Sequence, residues 1–276
     1  MVWVTGATGL IGGLVVQSSA GNADRWIVRP LTRRHFDLSD AGSMSACFHR
    51  ERPSAVIHCG ALSKTPDCER EPDMAQRINV DGTRHLAELA AEIPLIFLSS
   101  DMVFDGRKGG YLETDPVNPL SIYAETKIEG EQYILKNPLH TVVRTSLNYG
   151  ASPTGNRSFN EEMLAAWGAG KTLSFFIDEF RCPIPAVVTA RVLWQLLNQG
   201  ARRLYHVAGS ERLSRWDIAE CVARRHPGIV APRKAESRAS YQGPPRPADT
   251  SIHCSRVQAL LPFSLPRFSE WMADVS

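Results

Sequence analysis

Short apolar runs alternate with longer segments of helical periodicity through the first 150 residues of the chain. The apolar runs have the length of buried strands, and we predict strands at 2–4, 26–31, 55–59, 95–100 and 141–145. The segments between them carry apolar residues at helical spacing, which predicts helices at 10–18, 39–50, 73–92 and 122–136, with Ser39 as the cap of the second. This order of elements is typical of a parallel sheet with helices packed on it.

The pattern changes after residue 150. Residues 151–160 are polar and contain glycine and proline, which predicts a loop. Helices are predicted at 161–170, 186–198 and 213–224, the last signalled by Ser214, and short strands at 173–177 and 204–208. Residues 243–247 read Gly-Pro-Pro-Arg-Pro, which excludes a helix or a central strand there. We therefore expect a smaller second part in this half, with at least one segment returning to the main sheet.

Composition narrows the possible partners. The 276 residues carry a formal net charge of +2 and are 43% hydrophobic, which suffices for a large core. The charges are mixed along the chain, so we expect neither a nucleic-acid partner nor a membrane partner. The sequence has no signal-peptide pattern and no apolar run near the roughly 20 residues that cross a bilayer, which predicts a cytoplasmic protein. Six scattered cysteines without a CxxC pair predict reduced thiols and no metal site.

A glycine-rich loop lies between the first predicted strand and the first predicted helix. Its glycines, Gly6, Gly9 and Gly12, follow the spacing GxxGxxG. Glycines let the backbone turn tightly and approach a pyrophosphate, and the helix N-terminus adds free N–H groups and a positive dipole end. The alternative is an ordinary structural turn. The predicted cofactor contacts of this loop are Gly6, Thr8, Gly9, Leu10 and Ile11.

The end of the second predicted strand indicates which nicotinamide cofactor fits. Enzymes that use NAD usually carry a carboxylate there for the ribose 2′-hydroxyl. Here the strand runs into Arg33 and Arg34, and the first carboxylate is Asp37, followed by Leu38. Two guanidinium groups suit a 2′-phosphate, so the sequence favours NADP(H) over NAD(H). Asp37 and Leu38 would then lie near the adenine, and the alternative for the arginines is a solvated basic turn.

A serine, a tyrosine and a lysine are spaced for carbonyl chemistry. Tyr123 and Lys127 are four residues apart, on one face of a predicted helix. Ser99 and Ser100 end an apolar strand, and ligands of open parallel sheets bind at the carboxyl ends of strands. A tyrosine is a proton donor once a nearby ammonium lowers its pKa, and a serine hydroxyl can polarise the carbonyl. The set predicts reduction of a ketone.

We therefore predict an α/β fold with a Rossmann-type doubly wound parallel sheet and a smaller C-terminal α+β substrate-binding part. The cofactor-binding part comprises residues 1–150 and about 184–208. The substrate-binding part comprises residues 151–183 and 209–276. His58 and His206 fall in predicted buried strands and are expected to be hydrogen-bonded core residues rather than catalytic bases.

The chain resembles the extended short-chain dehydrogenase/reductases, and among them the dTDP-4-dehydrorhamnose reductase group. The glycine loop, the serine at the strand end and the Tyr-Lys pair carry the first resemblance. The second rests on further segments at 78–83, 99–106, 115–123, 143–146, 205–209, 213–215 and 246–251, so it covers most of the chain.

This resemblance implies roles for particular residues. Ser100, Tyr123 and Lys127 would be catalytic, and Asp101 would position either the substrate or the hydroxyl. Asn79 would brace the backbone of the active site. The remaining cofactor contacts implied by the family are Cys59, Gly60, Ala61, Asn79, Ser99, Tyr123, Lys127 and Thr145, with Ser146 beside the nicotinamide.

The substrate pocket departs from the family pattern. Met102 stands where the family has a tyrosine, so a hydroxyl and a ring are missing from the expected pocket of Met102, Val103 and Phe104. Arg181 and Arg246 are candidates for a diphosphate clamp, with a surface arginine as the alternative for each.

Three functions remain open. The first is reduction of a keto group of a nucleotide sugar by NADP(H), and the second is epimerisation or another carbonyl reduction at the same site. The third is a regulatory subunit that binds NADP without catalysis, since the family includes the regulatory subunit of methionine adenosyltransferase. The expected partner is a small nucleotide-sugar substrate. A homodimer is compatible with the sequence, which does not identify the sugar.

Overall fold

A central parallel sheet organises the computed structural model, which describes residues 1–22 and 24–274. Six parallel strands of the described chain form it, in the order β2-β1-β3-β4-β5-β10. The strands are β1 (Val2–Thr5), β2 (Val28–Leu31), β3 (Ala55–His58), β4 (Leu95–Ser100), β5 (Thr141–Thr145) and β10 (Arg203–Val207). The strand order reverses at β1, between β2 and β3, where open α/β sheets bind ligands. The predicted Rossmann-type sheet is confirmed.

Helices cover both faces of this sheet and build the second part of the molecule. They are α1 (Leu10–Gln17), α2 (Ala41–Glu51), α3 (Thr65–Arg70), α4 (Pro72–Ala75), α5 (Gly82–Leu89), α6 (Ile122–Leu135), α7 (Phe159–Gly168), α8 (Ala186–Asn198), α9 (Arg215–Arg225), α10 (Ser255–Gln258) and α11 (Phe268–Ala273). Short 3₁₀ turns occupy Ser18–Asn22, Asp101–Val103 and Arg238–Ser240. None of the helices described here combines the length and the apolar character that crossing a membrane requires.

The alternation of side chains along β1 divides the core into two layers. Val2 and Val4 face one side, where they pack with apolar residues of α1 and α8. Trp3 faces the other side, where it packs with residues of α2, α5 and α6. The side chains of Val2, Trp3 and Val4 are all fully buried. The pattern is that of a strand covered by helices on both faces, which explains its continuous apolar sequence.

Two predicted helices differ from the structure, the first in its cap residue and the second in the type of helix in its interior. Helix α2 is capped by Asp40, whose side chain accepts a hydrogen bond from the Ser43 amide, so the prediction of Ser39 as the cap is wrong. Ser39 instead bonds the Asp37 carboxylate. The helix predicted at 73–92 consists of α4, a π-helical stretch at Gln76–Asp81 and α5, with helical backbone throughout. The short helix α3 was not predicted.

The second part has its own apolar cluster, to which α7, α9 and α11 contribute. Strands β7 (Leu173–Phe176) and β12 (Arg233–Glu236) pair in parallel beside it, and smaller pairs join β6 (Asn148–Tyr149) to β9 (Ile184–Pro185) and β8 (Phe180–Arg181) to β11 (Leu213–Ser214). Ser214 caps α9 in a capping box with Asp217, as its sequence position predicted.

The return of a late segment to the main sheet is also confirmed. Strand β10 pairs in parallel with β5, and α8 packs against α1. Val257 of α10 and Leu265 in the segment after it contribute to the core around α1 and α8. The division of the chain into a cofactor part and a substrate part stays a prediction.

Candidate active site

The glycine loop brings two backbone segments into close contact. Gly6 has φ of +66°, and a Cβ atom there would lie 2.8 Å from the Cys59 carbonyl carbon and from the Gly60 nitrogen. A side chain at Gly12 would collide with the Gly6 carbonyl oxygen, which also accepts the Gly9 amide at 2.8 Å. The glycines are therefore required by the packing of the loop itself.

The N-terminus of α1 is suited to an anion. Its cap residue is Gly9, which has no side chain to bond the first amides of the helix. Within the described residues, the amides of Leu10 and Ile11 have no hydrogen-bond acceptor. These groups and the positive end of the helix dipole form an anion-binding position, and the exposed Thr8 lies beside it in sequence.

The loop after β2 presents two arginines to solvent. Arg33 and Arg34 are both exposed, and neither forms an ion pair with any residue in the described part of the chain. Asp37 points elsewhere, because its carboxylate accepts hydrogen bonds from the amide and the hydroxyl of Ser39. These bonds lower the pKa of Asp37, with a smaller contribution from the charge of Arg33. The arginines therefore keep their donors available.

Thr5 ties the loop after β3 to β1. Its hydroxyl oxygen accepts the Gly60 amide at 3.1 Å and shares a 2.7 Å hydrogen bond with Nδ1 of His58. The other nitrogen of His58 lies 3.1 Å from the Thr83 hydroxyl, which confirms His58 as a hydrogen-bonded core residue. Leu38 packs on the same loop, since a Cβ atom on Gly60 would lie 2.8 Å from its Cδ1. The predicted cofactor segments that follow β1, β2 and β3 therefore lie next to one another.

Asn79 links this loop to α6 from within the π-helical stretch. Its side-chain oxygen accepts the Leu62 amide at 2.8 Å, and its side-chain nitrogen donates to the Leu62 carbonyl and to the Thr126 hydroxyl, each at 3.0 Å. Thr126 in turn donates to the carbonyl oxygen of Tyr123. The side chain therefore braces the backbone on both sides of the predicted site.

On one face of α6, Lys127 is buried and Tyr123 is half-buried. Only 3% of Lys127 is exposed, and its Nζ lies 4.0 Å from the centre of the Phe97 ring. Within the described residues the ammonium makes no ion pair, and burial lowers the pKa of Lys127 to about 8. Desolvation raises the pKa of Tyr123 to about 12, against a smaller lowering influence of the neighbouring Ser100. Both groups are thus in their protonated forms at neutral pH.

The pKa of Tyr123 is raised overall in this structure, and the predicted stabilisation of its tyrosinate by Lys127 stays a prediction. Desolvation is the largest influence on Tyr123, followed by Ser100 and then by the charges of Asp101 and Arg181. Desolvation wins because it disfavours the tyrosinate directly, while the lysine is itself poorly solvated. The Tyr123 phenol therefore keeps its proton at neutral pH.

Ser99 and Ser100 point to opposite faces of the sheet, as neighbours in a strand must. The Ser99 hydroxyl donates to the Glu131 carboxylate, which also holds a two-bond ion pair with Arg144. The Ser99 hydroxyl is therefore engaged beneath α6, which leaves only the backbone of Ser99 for a cofactor, and its predicted cofactor contact stays a prediction. The Ser100 side chain points to the face of the sheet on which Tyr123 lies.

The end of β5 continues the same edge of the sheet. The Thr145 hydroxyl accepts a hydrogen bond from the Asn148 side chain at 3.0 Å, and Asn148 is itself bonded by Thr189. Thr145 is paired with Ser100 across the strands. This register places it beside the predicted catalytic serine, where the family pattern expects the nicotinamide.

The Asp101 carboxylate is fully buried and held from three directions. Arg181 donates two hydrogen bonds to it, from Nε at 2.7 Å and from its terminal nitrogen. Ser146 donates at 2.7 Å and Thr250 at 3.2 Å. Ser146 and Thr250 bond Oδ2 of this carboxylate, whereas the Ser100 hydroxyl lies 3.3 Å from Oδ1. Of its two predicted roles, the structure favours positioning of the hydroxyl over contact with substrate.

Val103 and Phe104 were predicted to bind substrate, and the structure contradicts this for both. Each is fully buried in an apolar cluster, where the Phe104 ring stacks on Tyr111 with centres 4.1 Å apart. Met102 alone of the three is partly exposed. His206 packs edge-on to Phe104, but neither of its ring nitrogens has a partner among the residues described, so the predicted hydrogen bonds are absent there.

Two of the arginines near the site are already paired. Arg181 is 7% exposed and bound to Asp101, so the surface alternative is wrong for it. A diphosphate on the same edge of its guanidinium would leave a buried carboxylate uncompensated. Arg246 makes two hydrogen bonds to the buried Glu179, at 2.6 and 3.0 Å. Arg215 is the weakly paired neighbour, 4.0 Å from Glu179, and burial lowers its pKa to about 10.

Sequence reasoning did not assign the acidic and hydroxyl partners of these groups. Glu131, Glu179 and Thr250 were given no role, although Thr250 lies inside the recognised segment 246–251. The available signal was a charged residue within an apolar environment, since such residues are buried only when paired. Its partner could not be identified because it lies far away in sequence.

Comparisons with known proteins agree with this geometry. The family model described as the RmlD substrate binding domain matches residues 1–276. A dTDP-4-dehydrorhamnose reductase of Sinorhizobium fredii is 30% identical over 87% of this chain and 85% of that protein. Subunit beta of methionine adenosyltransferase 2 from Bos taurus is 29% identical over 94% of this chain and 82% of that protein.

A solved structure shares the whole architecture. The dTDP-4-dehydrorhamnose reductase of Bacillus anthracis, in complex with NADP, superposes with a TM-score of 0.90 at 23% identity, and the match covers 99% of this chain and 96% of that one. The reductase thus shares its fold with this protein. The chain belongs to the RmlD substrate-binding-domain family, together with the dTDP-4-dehydrorhamnose reductases.

Proposed function

We propose that this protein is an NADP(H)-dependent reductase that converts a keto group of a nucleotide sugar to an alcohol, in the manner of a dTDP-4-dehydrorhamnose reductase. The observation that carries the proposal is the position of Ser100 at the carboxyl end of β4 beside Tyr123 of α6, one helical turn from the buried Lys127. These side chains meet at the carboxyl edge of the sheet, on the same side as the glycine loop. A hydroxyl pair and an ammonium at that edge suit carbonyl reduction.

The residues divide the chemistry between them. When bound, the cofactor supplies a hydride, which adds to the carbonyl carbon. Ser100 donates a hydrogen bond to the carbonyl oxygen and so stabilises the charge that develops there. Tyr123 transfers its phenolic proton to that oxygen, which completes the alcohol. Lys127 then faces a tyrosinate, and its ammonium stabilises that charge until a proton returns from solvent.

The residues near the glycine loop fit the phosphates of the cofactor. The uncapped N-terminus of α1 suits a pyrophosphate, since the amides of Leu10 and Ile11 have no acceptor among the described residues. Arg33 and Arg34 would hold a 2′-phosphate. The NADP bound by the Bacillus anthracis reductase supports this choice of cofactor.

Replacing Arg33 and Arg34 together by alanine is expected to weaken NADPH binding by about 10- to 100-fold, because two charge-assisted contacts to the phosphate are lost. NADH has no 2′-phosphate, so its affinity should change little. Titration of nicotinamide fluorescence measures both constants. Arg107→Ala is the matched control, since Arg107 is a strongly exposed arginine on another loop. An equal loss of affinity for NADPH and NADH would show that the arginines do not bind the 2′-phosphate.

The reaction is tested by mixing the purified protein with NADPH and a dTDP-4-keto-6-deoxyhexose. We expect substrate-dependent loss of the reduced-nicotinamide absorbance, and an alcohol at the former keto carbon in the product. A product that keeps the keto group but has inverted stereochemistry would instead indicate epimerisation. Cofactor binding without turnover of any nucleotide sugar would contradict the reductase assignment.

A second candidate is a regulatory subunit that binds NADP without catalysis. The similarity to subunit beta of methionine adenosyltransferase 2 favours it, because that similarity covers 94% of this chain. Under this alternative the protein would alter the activity of a methionine adenosyltransferase, and Tyr123→Phe would leave that effect intact. The reductase requires the Tyr123 hydroxyl, so the two candidates separate on one variant.

A further inference from the structure

We propose that Arg181 is a positioning residue: by holding the Asp101 carboxylate, it leaves the Ser100 hydroxyl free to polarise the substrate carbonyl. The inference rests on the proposed reductase function and adds a residue to it. It also replaces the predicted role of Arg181 as a diphosphate clamp. The bonds around Asp101 carry the argument.

The first step concerns the two oxygens of Asp101. One oxygen accepts hydrogen bonds from Nε of Arg181, from Ser146 and from Thr250. The other oxygen accepts the terminal nitrogen of Arg181 and faces Ser100. The charged donor on this second oxygen competes with the serine hydroxyl for the same carboxylate.

The second step concerns the length of the serine contact. Ser100 Oγ lies 3.3 Å from Asp101 Oδ1, whereas a hydroxyl bonded to an unpaired carboxylate lies at about 2.5–2.7 Å. The Ser100 oxygen also accepts the Met102 amide at 3.2 Å, which fixes its position without using its proton. The hydroxyl proton is therefore only weakly held and can turn to a carbonyl oxygen.

The third step concerns charge at Tyr123. The charge of Asp101 raises the pKa of Tyr123, and the charge of Arg181 lowers it. A buried carboxylate without its partner would act on the proton donor uncompensated and would also capture the neighbouring hydroxyl. Arg181 thus prevents both effects, although it contacts Asp101 and not the reacting atoms.

The test compares Arg181→Gln, Arg181→Lys and the double variant Asp101→Asn/Arg181→Gln with the wild type. We expect Arg181→Gln to lower kcat by about tenfold or more and to change KM much less, since part of a carbonyl-polarising contact is lost. Arg181→Lys should keep part of kcat. The double variant should have a higher kcat than Arg181→Gln, because it lacks the Asp101 charge that would capture the Ser100 hydroxyl. Arg233→Gln is the control, as Arg233 pairs with Glu220 elsewhere in the second part.

A raised KM with unchanged kcat would overturn the proposal and assign Arg181 to substrate binding. A double variant no better than Arg181→Gln would overturn it as well, because the loss would then be structural. If Arg181→Gln does not fold, the lysine and double variants still decide between these outcomes through their kcat and KM.

A measurement without turnover keeps this proposal separate from the proposed function. In crystals of Arg181→Gln with NADPH, we expect Ser100 Oγ to lie about 2.6 Å from Asp101 Oδ1, the range of a charge-assisted bond. An unchanged separation of 3.3 Å would contradict the proposal. If the wild type reduces no nucleotide sugar, the proposed function fails, while this distance still tests the role of Arg181.

Discussion

Replacing Tyr123 by phenylalanine is expected to lower kcat by about 10²- to 10⁴-fold, the usual contribution of a positioned proton donor. The ring stays in place on α6, so the substitution removes the hydroxyl and little else. NADPH binding should persist, because the glycine loop and the two arginines after β2 are unaffected. Stopped-flow absorbance of the reduced nicotinamide measures the change.

The matched control for this variant is Tyr133→Phe. Tyr133 lies on the same helix beside Lys136, away from Ser100. It should keep the wild-type kcat. If Tyr123→Phe also kept it, another group would be the proton donor, and the assignment of the reaction to this site would fail. A loss of NADPH binding along with kcat would instead indicate that the hydroxyl holds the cofactor.

Replacing Lys127 by methionine is expected to stabilise the fold while abolishing reduction. Burial lowers the pKa of this lysine from 10.5 to about 8, so the folded protein pays for an ammonium with no ion pair among the described residues. The difference corresponds to on the order of 1–3 kcal/mol at neutral pH. Methionine has a similar length and fills the same apolar space. Urea unfolding at pH 7 measures the gain.

The gain should depend on pH with a definite sign. Below about pH 8 the lysine is charged in both the folded and the unfolded state, so its full cost is present. As the pH rises from about 8 to 10.5, the folded protein loses this proton first, and the wild type becomes more stable relative to Lys127→Met. Lys136→Met, an exposed lysine near the end of the same helix, should stay within about 0.5 kcal/mol. A destabilised Lys127→Met would mean that the charge is compensated.

Local sequence signals predicted the sheet and the glycine loop well. The strand ends and the helix cap at Ser214 follow from short-range rules of backbone and side-chain geometry. Strand periodicity implies that Ser99 and Ser100 point to opposite faces, but Ser99 was assigned to the cofactor and Ser100 to catalysis without using it. Val103 and Phe104 were misplaced because a 3₁₀ turn after β4 directs them into an apolar cluster.

The buried ion pairs could not be predicted from the sequence. Asp101 and Arg181 are 80 residues apart, and Glu179 and Arg246 are 67 apart. Nothing local distinguishes such a residue from a solvated charge, because its pairing is created by the packing of the two parts of the chain. The contact between Arg181 and Asp101 was therefore not anticipated. It argues against a diphosphate clamp for Arg181, and for Asp101 it favours positioning of the Ser100 hydroxyl.

The late return of β10 has a consequence for biosynthesis. The sixth strand of the sheet ends at Val207, and the Trp194 side chain of α8 bonds the Val15 carbonyl from 179 residues away. A nascent chain that stops near residue 150 therefore presents the open edge of β5 and an uncovered face of α1, both prone to association. The ribosome must deliver roughly three quarters of the polypeptide before the nucleotide-binding half can close, so translation pauses in that interval would expose the chain to chaperones.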